Sequence, residues 1–123
     1  MDFSKVKFFG GADRKPARIT VSQLGRLNFN TSFKDQNKKL FEDNTHVYLG
    51  FLEQENVVLA VFTNEPQELK GKLCYKIAKE KSVGASSFFK QKGLEDFLDA
   101  ILSFEIDKYE GSDALILTPK KGE

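Results

Sequence analysis

The stretch ITVSQLGRLNFNTSF, residues 19–33, decides how the rest of the chain is read. In "RITVS" Ile19 and Val21 fall on one face of a strand, and in "RLNFN" Leu27 and Phe29 do the same. Between them "QLGR" makes a turn, with Gly25 free to take a positive φ. The period of two then stops. Phe33, Leu40 and Phe41 stand at i, i+7 and i+8, one face of a helix that Thr31 or Ser32 would cap. The turn sets Arg26 at the tightest point between two apolar strands. A basic residue there is either presented to a partner or an ordinary solvated turn residue, and the sequence leaves both readings open.

Outward from this opening, "HVYLGFLEQENVVLAVFTN" (46–64) predicts a hairpin. Val47, Leu49 and Phe51 alternate, "EQEN" turns, and Val57 to Phe62 is nearly continuous apolar chain, as burial on both faces requires. "EPQELKGK" (65–72) is a polar break, and "LCYKIAKEK" (73–81) alternates Leu73, Tyr75 and Ile77 as a strand. "ASSFFKQKGLEDFLDAI" (85–101) has helical spacing interrupted at Gly93. "SFEIDKYEGSDALILTPK" (103–120) closes with a second hairpin. The expected fold class is α+β, mostly antiparallel β hairpins with two short helices. Val58, Leu59, Val61, Phe62, Leu115, Ile116 and Leu117 are the expected core. Residues 1–17, punctuated by "GGADRKP", read as a flexible basic arm, and 18–123 as a single globular domain.

Composition narrows the functions. The chain has 123 residues and a net charge of +1, so it carries no global signature of nucleic-acid binding. The charge is unevenly spread: +4 over residues 1–30, +1 over 31–90 and −4 over 91–123. A basic head and an acidic tail mean a basic working face, self-association, or pairing within the fold. With 12 Phe and no Trp, the aromatic content suits a core filled without polar atoms to satisfy. One cysteine, Cys74, excludes an internal disulfide and a multi-cysteine zinc site, and the single His46 has no second imidazole beside it. No metal and no cofactor is expected. The opening residues lack the apolar core of a signal peptide, and no stretch approaches the roughly 18 apolar residues of a membrane span. A cytoplasmic protein without membrane contact is expected.

Residues 18–64 and 74–120 share a grammar. Each runs strand, polar stretch, Ser-Phe at a helix start, strand, acidic turn, apolar strand, at an offset of about 55 to 57 residues. Two similar βαββ units packed as a pseudo-dimer would let each cover a face that it cannot bury alone.

The first unit resembles the AbrB-type swapped-hairpin domain of bacterial transition-state regulators, MraZ-like proteins and antitoxins. The resemblance covers about residues 18–64 and rests on "ITVSQLGRLNFN", a short helix, and "VYLGFLEQENVVLAVF". Gly25 and Arg26 stand on the family's Gly-Arg pair. Asn30 replaces the family's Pro, Asp43-Asn44 replaces its Gly-Asp, and the helix offers Lys34, Lys38 and Lys39 in place of an Arg-rich run. The resemblance implies interleaved hairpins, a dimer or pseudo-dimer, and a basic surface that contacts DNA. Arg18, Arg26 and Lys34 would line that surface, with Arg14 and Lys15 reaching it from the arm.

Catalytic chemistry finds no support. "FFGGAD" lacks the Lys-Ser or Lys-Thr of a phosphate loop. Glu95 and Asp99 share a helix face at i, i+4 if the helix runs through them, a possible cation pair that a solvated face opposite Leu94, Phe97, Leu98 and Ile101 explains with less. No enzyme is expected. Two functions remain: a small nucleic-acid-binding regulator using a basic hairpin surface, or a protein-interaction accessory factor of phage or mobile-element type that binds no nucleic acid.

Overall fold

The computed structural model describes residues 16–65 and 74–120. Eight strands form one antiparallel sheet. They are β1 (Ile19–Val21), β2 (Arg26–Phe29), β3 (His46–Leu52), β4 (Val57–Thr63), β5 (Cys74–Lys76), β6 (Val83–Gly84), β7 (Ala100–Tyr109) and β8 (Ser112–Pro119). Their order across the sheet is β5-β3-β4-β8-β7-β1-β2-β6. The two outermost strands then meet, because a bridge between Ile77 and Val83 joins the chain leaving β5 to β6. The sheet curls into a near-barrel, which removes most exposed edge. No described helix is long and apolar enough to cross a membrane.

Three short helices, α1 (Thr31–Gln36), α2 (Lys38–Glu42) and α3 (Ser86–Phe89), and a 3-10 turn at Glu95–Phe97 supply apolar side chains to the same interior. α1 is capped by Asn30 rather than by Thr31 or Ser32: the Asn30 Oδ1 accepts from the Phe33 N–H at 2.9 Å. The single helix expected to carry Phe33, Leu40 and Phe41 on one face divides at Asn37, whose own side chain donates to the Phe33 carbonyl. The helix expected over 85–101 is one turn long. Gly93 takes a φ of 98°, Asp99 one of 54°, and Ala100 already belongs to β7. Glu95 and Asp99 therefore share no helix face. The helical spacing was real in one respect only, since Phe88, Phe89 and Phe97 all turn into the core from two separate turns.

Every described Phe lies in the core or packs against it. Phe33 stacks on Phe29 at 5.0 Å and meets Phe104 edge-on at 5.1 Å, while Phe41 meets Phe62 edge-on at 6.0 Å. Val58, Phe62, Leu115 and Leu117 face this interior. Val61 faces the other way, against Tyr48 and Ala114, and Leu59 packs on the same outer cluster. Leu59 and Ile116 are only half-buried, so the expected burial on both faces holds for one patch of β4 and not for its whole length.

Candidate functional site

The first hairpin carries Arg18 at its open end and Arg26 at its turn. The turn is built tightly. The Gly25 N–H donates to the Ser22 carbonyl at 3.0 Å, and the Ser22 hydroxyl accepts from the Arg26 N–H at 3.1 Å. Gly25 has a φ of 87°, and a Cβ there would lie 2.7 Å from the Ser86 Cα. Its carbonyl accepts from the Ala85 N–H at 3.1 Å. Glycine is required both for the left-handed backbone and for the close approach of α3.

From this turn Arg26 runs along β2 onto β6. Its Nη1 donates to the Ser82 Oγ at 2.6 Å and lies 3.5 Å from the Glu80 Oε2. Its guanidinium crosses Gly84, where a Cβ would come within 3.2 Å of Nη2. The Ser82 hydroxyl in turn donates to Glu80 at 3.1 Å, and the Lys34 Nζ donates to the Glu80 carbonyl at 3.5 Å. Arg26 and Lys34 thus converge on the turn Ala78–Ser82, itself closed by the Ala78 N–H on the Ser82 carbonyl. The Glu80 carboxyl is held below its ordinary value, first by its own backbone N–H and then by Ser82; desolvation opposes, and Arg26 and Lys34 lower it further by smaller amounts. This arrangement fastens the place where the barrel closes.

Arg18 stands elsewhere. Asn30 fixes its backbone: the Asn30 Oδ1 accepts from the Arg18 N–H at 2.9 Å, and the Asn30 Nδ2 donates to the Pro16 carbonyl at 2.9 Å. The Arg18 side chain borders an open groove of about 300 Å³, lined also by Pro16, Ala17, Ile101–Phe104 and Lys120. Neither Arg18 nor Lys120 forms an ion pair with a described residue. β1 pairs with β7 over Ala100–Leu102, and Pro16, Ala17 and Arg18, just before β1, line the groove together with Ser103 and Phe104. The structure therefore brings Arg26 and Lys34 together on Glu80, whereas Arg18 borders the groove and shares no bond with that residue. Arg14 and Lys15 lie outside the described residues.

Lys120, Ser82 and Glu80 were not among the expected site residues. "AKEKS" gave no local sign that a barrel seam would form there, and Lys120 enters only because β8 returns beside Ile101. His46 bonds its neighbour Thr45 at 2.8 Å, and Cys74 is a half-buried free thiol. Among the described residues no group of three or more His, Cys, Asp or Glu is placed to hold a metal ion. Comparison with known proteins gives no matching family model, no matching curated protein and no matching solved structure.

Proposed function

We propose that this protein is a non-enzymatic nucleic-acid-binding regulator of the cytoplasm, contacting phosphate through the groove between Arg18 and Lys120. The observation that carries this reading is the pair of cations without an acidic partner among the described residues, on an open, partly apolar groove. Arg18 offers a planar fork and Lys120 a point charge, the two donor types suited to phosphate oxygens. Arg26 and Lys34 serve the barrel seam in this reading, and phosphate contact falls to the other end of the hairpin.

A swapped-hairpin architecture made from two like units is supported by strand order. Taken around the barrel, hairpin β1–β2 is followed by β6–β5, then β3–β4, then β8–β7, so hairpins from the two halves alternate. Register supports it too. Shifted by 55 to 57 residues, the pair Val21↔Leu27 becomes Ile77↔Val83, Leu49↔Ala60 becomes Phe104↔Leu117, and Ile19↔Leu102 becomes Tyr75↔Val47. Gly25 and Lys81 stand at matching turns, with φ values of 87° and 65°. In this reading one chain supplies both halves of what a swapped-hairpin dimer builds from two.

The test is retardation of duplex and single-stranded DNA at low salt. Wild-type protein should retard at least one of them, and the double variant R18A/K120A should lose most of that binding while keeping its thermal transition. Absence of any retardation by wild-type protein would remove this reading. The protein-interaction reading would then lead, and one observation favours it: β7 is far longer than the strand that covers it.

A further inference from the structure

β7 spans ten residues, Ala100–Tyr109. On one side β8 pairs with it from Leu102 to Tyr109. On the other side β1 pairs only with Ala100–Leu102. Among the described residues no strand pairs with Ser103–Lys108 on that second side. β3 is likewise paired with β5 only over His46–Tyr48, leaving Leu49–Leu52, so among the described residues Ser103–Lys108 is the longer of these two edges left without a strand.

The edge has a definite chemical pattern. The Lys120 N–H donates to the Ile101 carbonyl at 3.0 Å, so Ile101 turns its backbone groups toward β8. Backbone groups alternate along an antiparallel strand, so Phe104, Ile106 and Lys108 turn theirs to the open side. Side chains alternate as well. Phe104 packs on the core, and Ile106 follows on the same face with 51 % of its surface exposed. Glu105 and Asp107 lie exposed on the opposite face, and Lys108 is paired with Asp113. A strand laid along this edge would meet an apolar row on one face and an acidic row on the other.

We propose that the edge Ser103–Lys108 of β7 accepts, as an added strand, an extended polypeptide segment of a partner protein in which basic and apolar residues alternate. Backbone hydrogen bonds to Phe104 and Ile106 would hold it, and alternation would select it. Its apolar residues lie against Phe104 and Ile106, and its basic residues against Glu105 and Asp107. A second copy of this chain is a poor occupant, because an edge-to-edge pair would set Glu105 and Asp107 of one copy against those of the other. The edge shares Ser103 and Phe104 with the groove at Arg18 and Lys120, but recognition of a strand rests on backbone pairing and the acidic row rather than on phosphate contact.

The experiment titrates the full chain with three capped synthetic peptides: one alternating Lys and Val, one with the same residues in two blocks, and one alternating Glu and Val. The alternating Lys-Val peptide should bind at least tenfold more tightly than the other two. The exposed charge reversal E105K/D107K should transfer the preference to the Glu-Val peptide. Equal binding of the alternating and block peptides would overturn the proposal, as would a preference unmoved by E105K/D107K. Residues 5–8, Lys-Val-Lys-Phe, show the same alternation in the sequence. If K5E/K7E in the full chain strengthens binding of the Lys-Val peptide, the chain's own head competes for the edge and the assignment to a partner fails.

Discussion

Arg26 and Arg18 stand at opposite ends of one hairpin, and their surroundings differ in kind. At the turn, Gly25 presses against α3 and Arg26 is drawn onto Ser82 and Glu80. At the open end, Asn30 holds only the Arg18 backbone, and the side chain borders a groove where no described acid is paired to it. A turn position therefore does not make a basic residue available. What decides availability is whether a later part of the chain brings an acceptor, and here the turn after β5 does so for one arginine and not for the other.

The groove at the open end needs a rigid wall. Phe104 lines it and rests against Phe33, which is fully buried. Truncating Phe33 to Ala should cost about 3–5 kcal/mol in chemical denaturation, the usual range for a buried Phe. A cost of a few tenths would mean that the groove has no fixed wall and that the contrast between the two ends is drawn too sharply.

The next largest effect belongs to the turn. Gly25→Ala should lose about 1–3 kcal/mol for a side chain forced into a left-handed backbone, before any displacement of α3 by the added methyl. Gly84→Ala makes a useful companion, since its Cβ would meet only the far end of the Arg26 side chain. It should be much milder, and equal losses at the two glycines would contradict the close packing at Gly25.

Arg26→Ala should lose about 1 kcal/mol, the net worth of a typical hydrogen bond, whereas Arg18→Ala should stay within about 0.5 kcal/mol. Acid sharpens the difference. The folded Glu80 carboxyl lies below its ordinary value, so its contribution is present at neutral pH and is lost as acid protonates it in the fold. Arg26 is one cause of that depression. Arg26→Ala should therefore shrink the acid-dependent part of stability, followed by thermal melts from pH 7 downward, and Arg18→Ala should leave it unchanged. Identical acid limbs in all three proteins would place Arg26 outside the seam.

Much of the fold was legible in the sequence because hairpins write themselves locally. Ile19/Val21, Leu27/Phe29 and Val47/Leu49/Phe51 alternate where β1, β2 and β3 form, and both later hairpins lie where their apolar runs predicted. The segment 85–101 misled because Phe spacing records which side chains face the core and not which backbone carries them there. The candidate site was less legible. Arg18 and Arg26 look alike in sequence, and their separation depends on Glu80 and Ser82, more than fifty residues from Arg26. Lys120 lines the same groove as Arg18 only through the pairing of β8 with β7 and of β7 with β1. Such neighbours follow from sheet order, which no local pattern encodes.

The most direct measurement is the salt dependence of nucleic-acid binding for wild type, Arg18→Ala and Arg26→Ala, each confirmed folded. Each phosphate contact removed lowers the slope of log affinity against log salt by about one unit. Arg18→Ala should show that loss, and Arg26→Ala should keep the wild-type slope. A slope lowered by Arg26→Ala and unchanged by Arg18→Ala would contradict the account, since the turn would then be the phosphate-contacting end and the seam would not hold its arginine.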